Sequence, residues 1–227
     1  VATQENVPRD GCILSFVDVR EIAPGLRRWT SWHPEWKQYV GSIFWQGADA
    51  FCLIDPIVPP EGADEFWSWL DREVERLALP VHVLITVFWH ARQARELVER
   101  YDARLWAHKP ARAPIERRVG KVSDLFLPGD PLPGGLRAFQ ARGSEVVFWI
   151  PEALALITGD VILGTAGDGL ELCPEYWSPK GGGHAKMREN LSALAGLPIE
   201  RVLVSHGEPV LKHGRAAFDR LLQAADR

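Results

Sequence analysis

The sequence predicts an α/β protein with two stacked sheets or one large mixed sheet. Three observations carry this. The first third reads as strands, a strand–helix alternation follows, and the same alternation returns more loosely in the second half. Strands first, then strand–helix units, made twice, require helices packed on extended sheets.

The elements follow in order. ILSFVDVREI, LRRWTSW, QYVGSIFWQ and AFCLID are rich in β-branched and aromatic residues and are separated by turn signals such as Pro24-Gly25 and Gly47-Ala48-Asp49. A helix is expected from about Ala63 to Leu77, because Phe66, Trp67, Leu70, Val74 and Leu77 recur at helical spacing. Pro80 closes it, and PVHVLIT suits a buried strand. ARQARELVERY reads as a helix and RLWAH as a short strand. LRAFQA, EVVFWIP and LALITGD read as consecutive strands. A helix is expected over about Ala185 to Leu194, then the strand RVLVSH and a closing helix from Arg215 to Ala224.

The chain has 227 residues, enough for one large core, and a single domain over residues 1–227 is the expectation. Charged residues make up 25% and the formal net charge is −4, which argues against nucleic-acid or acidic-membrane partners. No apolar run approaches the roughly 20 residues that span a bilayer. The polar start VATQENVPRDG lacks the apolar core of a signal peptide, so a cytoplasmic location is expected. Cys12, Cys52 and Cys173 are widely spaced and form no CxxC pair, which argues against a disulfide framework. Trp29, Trp32, Trp36 and Trp45 cluster near the start, as core packing or as an aromatic wall on a ligand pocket.

Four segments, in order along nearly the whole chain, resemble the metallo-β-lactamase superfamily: LIDP (53–56), LITVFWHAR (84–92), ITGDVILG (157–164) and VSHGEPV (204–210). The resemblance implies an αββα four-layer sandwich and a metal site. In that family an acidic residue at the position of Asp55 supports the site, and a histidine-rich HxHxDH loop follows a Thr. A TGD aspartate bridges two metals, and a histidine ends a late strand.

This sequence departs from that pattern in the ligand loop. Aligned on Thr86, the HxHxDH positions hold Val87, Trp89, Ala91 and Arg92, and Arg142 stands near a further histidine position. Zinc takes about four N, O or S donors. Val, Trp and Ala offer none, and Arg has no free lone pair. Only Asp160 and His206 match.

The candidate catalytic and metal residues are therefore His90, Asp160 and His206, holding one zinc or none, with His33 or His184 as a further ligand. Without metal, His90 and Asp160 would be an acid–base pair. Trp89, Arg92, Arg142, His33 and Asp55 are the expected pocket residues, and the two arginines could replace metal charge by pairing with Asp160 or Asp55. His90 is expected at a helix N-terminus, where the dipole favours its neutral form. His82 reads as a structural strand residue, His108 and His213 as surface positions, and Gly164 to His184 as a lid carrying Glu175, Tyr176 and Trp177.

No GxSxG elbow, GxGxxG or P-loop is present. The functional expectation is a divergent hydrolase of small esters, lactones or thioesters with at most one metal. The alternative is a metal-free small-molecule-binding or scaffolding descendant of the fold.

Overall fold

The computed structural model describes residues 18–177 and 183–224. Cys12, the polar start, the first half of the expected first strand and residues 178–182 of the expected lid lie outside the described residues.

The first sheet has seven strands in sequential order. They are β1 (Arg20–Ala23), β2 (Leu26–His33), β3 (Gln38–Gln46), β4 (Phe51–Ile54), β5 (Val81–Ile85), β6 (Arg104–His108) and β7 (Asp124–Phe126). Pairing is antiparallel from β1 to β4 and parallel from β4 to β7. Parallel neighbours need crossovers, and α1 (Ala63–Leu77), α2 (Ala94–Tyr101) and α3 (Arg112–Val119) supply them. The second sheet contains β8 (Arg137–Arg142), β9 (Glu145–Ile150) and β10 (Ala155–Thr158). A small hairpin, β11 (Ile162–Thr165) and β12 (Gly169–Leu172), leads to α4 (Gly183–Leu191), β13 (Arg201–Val204) and α5 (Gly214–Gln223). The spatial order of this sheet is β13–β10–β9–β8, with β13 parallel to β10.

Strand alternation explains the layers, since successive side chains face opposite sides. Phe51 and Leu53 face Phe66, Leu70, Leu97 and Ile115 of the first helix layer. Cys52 and Ile54 face the second sheet, where they share a core with Phe148, Ile150, Ile157 and Leu203. Val147, Trp149, Leu156 and Val202 turn outward to Met187, Leu191, Phe218 and Leu221. The result is an αββα four-layer sandwich. Its parallel pairs bring the ends of β4 and β5, and of β10 and β13, to the same edge.

Several expectations are corrected. The helix expected to Leu194 ends at Leu191 and continues as a 3-10 turn, Ser192–Leu194. The helix α3 and the strand β7 were not anticipated; α3 is short and carries only two buried apolar residues, Ile115 and Val119. The expected lid contains the β11–β12 hairpin. His108 is buried rather than superficial, with Nδ1 donating to the Ser144 carbonyl at 2.9 Å. The early tryptophans divide: Trp29 and Trp45 are core residues, Trp32 is exposed against Tyr39, and only Trp36 reaches the pocket.

Candidate functional site

Four strand ends deliver the site. Asp55 follows β4 in the left-handed region, at φ 49°. It accepts from the Thr86 amide at 2.8 Å and from the Thr86 hydroxyl. After β5 the chain makes a 3-10 turn, Phe88–Ala91, and leaves it through Arg92 at φ 33°. That turn drives His90 inward. His90 is fully buried, with Nδ1 2.8 Å from Asp55 Oδ2. A carboxylate can only accept, so Nδ1 carries a proton, and whenever the imidazole is neutral its lone pair is on Nε2.

The second sheet supplies the facing side. Asp160 follows β10 and His206 follows β13. His90 Nε2 and His206 Nε2 each lie 3.0 Å from Asp160 Oδ1. Neither contact has hydrogen-bond geometry, and His90 Nε2 and Asp160 Oδ1 are sealed from solvent without a hydrogen-bond partner. The ligating atoms of His90, Asp160 and His206 all lie within 4.8 Å of one another. Convergence of donors off the line of a hydrogen bond suits a shared cation. At Asp160 Oδ2 the picture differs: Trp89 Nε1 donates to it at 2.6 Å. The His206 turn is clamped by backbone packing. Gly207, at φ 83°, has no room for a Cβ, which would fall 2.0 Å from the Gly164 carbonyl oxygen of β11.

Charges around this group are nearly balanced. Arg142 Nε donates to Glu145 Oε2 at 2.6 Å, and its Nη2 lies 3.8 Å from Asp160 Oδ2. Arg92 Nη1 donates to the main-chain carbonyl of Asp55 at 2.8 Å. Burial pushes the Glu145 carboxyl up to about 7, against the opposing pull of Arg142. Every contact Glu145 makes through its carboxylate is nonetheless from a donor, as suits the anion. For His90, burial and Arg92 lower the pKa, but Asp160 and Asp55 outweigh them and hold it above the ordinary value. The helix-dipole expectation of a neutral-favouring field is thus reversed, because two carboxylates flank a ring that sits in a 3-10 turn.

The site floors a cavity of about 520 Å³ lined by Trp36, Gln38, Trp89, Asp160, Trp177 and His206. Of the five expected pocket residues, only Trp89 lines it. Arg92, Arg142 and Asp55 stand behind the floor. Arg92 approaches the main chain of Asp55, not its carboxylate. His33 stacks on Trp36 at 4.0 Å and accepts from the Trp36 amide. His33 is not in the metal-competent group, nor is His184, whose Nε2 lies 2.9 Å from the Cys173 carbonyl. Sequence reading missed Glu145. Its one signal was a lone acid opening the apolar run EVVFWI after a Gly-Ser turn.

A scan against protein-family models and a search of curated proteins found no match. Solved structures do match. A β-lactamase domain protein from Burkholderia ambifaria is 20% identical, with a TM-score of 0.66 over 90% of this chain and 75% of that one. Metallo-β-lactamase IND-7 is 16% identical, with a TM-score of 0.66 over 93% of this chain and 100% of that one. A metallo-β-lactamase from Hirschia baltica is 17% identical, with a TM-score of 0.63 over 91% and 96%. The chain therefore has the metallo-β-lactamase fold. No helix among the described residues is long and apolar enough to cross a membrane.

Proposed function

We propose that the protein is a divergent hydrolase of small molecules that holds one divalent metal, such as zinc, on His90, Asp160 and His206. The observation that carries this reading is the convergence of the ligating atoms of three buried residues, with His90 Nε2 and Asp160 Oδ1 lacking hydrogen bonds, beneath an open cavity. The donor set fits: two imidazoles and a carboxylate leave a position for water or substrate. Asp55 orients His90 from behind, as carboxylates commonly do for histidine ligands. When bound, the metal would polarise a substrate carbonyl and make water acidic enough to attack.

Charge supports one metal rather than two. Asp55, Asp160 and Glu145 face Arg92 and Arg142, a net of one negative charge. One divalent ion takes the cluster to one positive charge, whereas a second would take it to three in a buried setting. The cavity volume falls within the range of small-molecule sites, and Trp36, Trp89 and Trp177 offer it apolar walls.

The test is metal content after purification without chelator, with zinc, manganese and iron each offered. One equivalent bound, and lost in His206→Ala, is the expected result. No metal, and no change in melting on adding chelator, would overturn it. One observation favours the second reading, a metal-free binding protein. The Asp160 carboxylate already has the Trp89 indole and the Arg142 guanidinium beside it, so it tolerates burial without a metal.

A further inference from the structure

We propose that Glu145 is the positioning residue of this site: it sets where Asp160 stands and so governs metal affinity without touching the metal. This rests on the reading of Asp160 as a ligand.

An aspartate side chain has two rotatable bonds, so the place of its carboxylate follows the main chain that carries it. Here that main chain is seated on Glu145. Oε1 of Glu145 accepts from the Asp160 amide at 2.6 Å and from the Val161 amide at 2.8 Å. Two successive amides gripped by one oxygen fix the turn after β10. Gly159 shows how closely the turn is seated: a Cβ there would fall 2.7 Å from Glu145 Oε1 and 2.6 Å from Thr86 Oγ1.

The second oxygen acts on the other end of Asp160. Oε2 accepts from Arg142 Nε at 2.6 Å. The guanidinium is thereby aimed, with Nη2 3.8 Å from Asp160 Oδ2 and its carbon 5.6 Å from the Trp89 ring centre. Trp89 in turn donates to that same oxygen. One carboxylate thus steadies the backbone of Asp160 and, through Arg142, places a positive charge beside its side chain and against the Trp89 ring. The β8–β9 register shift between Gln140 and Arg142 sets Arg142 opposite Glu145, which makes the pairing possible. Neither Glu145 nor Arg142 lines the cavity, so both act from behind.

A purely structural ion pair would lower stability and nothing else, which defines the test. Full-length wild type, Glu145→Gln and Arg142→Lys are compared. Zinc affinity is read by chelator competition. In the metal-free proteins the Trp89 indole N–H resonance is read by nitrogen-15 NMR, assigned through Trp89→Phe. Glu145→Gln keeps the shape but turns an amide donor toward Arg142. It is expected to weaken zinc binding about 10- to 100-fold, as loss of a group supporting a ligand does. It should also shift the Trp89 resonance, and leave that of Trp29, which donates to the Ile57 carbonyl on the helix side of the first sheet, in place.

A Glu145→Gln protein that melts lower but keeps its Trp89 resonance and binds zinc within about twofold of wild type would overturn the proposal. If wild type takes up no zinc, the metal reading fails and the indole resonance alone decides the role of Glu145. If Glu145→Gln does not fold, Arg142→Lys is read in its place. It retains Glu145 and the charge but loses the Nε contact, and effects in the same direction support the proposal while none overturns it.

Discussion

The two sides of the site solve the same problem differently. On the first-sheet side, Asp55 spends its carboxylate on Thr86 and His90, and Arg92 is left with main-chain carbonyls. On the second-sheet side, Glu145 and Arg142 pair directly, and Asp160 draws donors from the other sheet through Trp89. The first side is held by strained backbone, with Asp55 and Arg92 both at positive φ. The second is held by a buried carboxylate–guanidinium pair. A cation whose partners are neutral carbonyls is replaceable, whereas a cation paired with a buried carboxylate is not, because its removal strands a charge.

The largest expected effect tests the seam between the sides. Asp160→Ala removes the acceptor of Trp89 and the common neighbour of His90 and His206. It should destabilise the metal-free protein by about 3–5 kcal/mol in urea unfolding, and wild-type melting would show that the two sides do not depend on it.

Next comes the contrast between the arginines. Arg142→Met should cost about 3 kcal/mol, since Glu145 loses its charge partner. Arg92→Met should stay within about 1 kcal/mol of wild type, because its hydrogen bonds go only to the neutral main-chain carbonyls of Gly41 and Asp55 and its loss strands no carboxylate. Equal losses in denaturant titrations would erase the distinction between the sides.

His206→Ala should change metal-free stability by only about 1 kcal/mol while abolishing metal uptake. His206 Nδ1 has no hydrogen-bond partner, and its turn is set by the Gly207–Gly164 backbone contact. A large fall in stability would mean that His206 is chiefly a packing residue.

The smallest effect is a pH slope at the link between the sheets, where His108 of β6 meets the β8–β9 turn at Ser144. Burial outweighs that hydrogen bond and lowers the His108 pKa from its ordinary 6.5. Below 6.5 the unfolded chain therefore binds more protons than the folded one. Stability is full above that pH and declines as the pH falls through it. His108→Asn should flatten this part of the stability–pH curve, and an unchanged slope would assign the effect elsewhere.

The sequence by itself determined the strands, not which face of each meets the helices: the near-continuous apolar runs of β4, β5, β9 and β10 mark strands buried on both sides. It also determined which ligand positions are empty, since Val87, Trp89 and Ala91 carry no metal-ligating group whatever the fold. Tertiary structure alone decided the rest. The inward turn of His90 depends on a 3-10 turn that periodicity does not encode. The importance of Glu145 depends on a β-bulge and on amides 15 and 16 residues away in sequence. The split of the tryptophans depends on which sheet face each strand position meets. Hydrophobic pattern is a local property and can be read along the chain. The pairing of buried charges depends on distances between strands that meet only after folding.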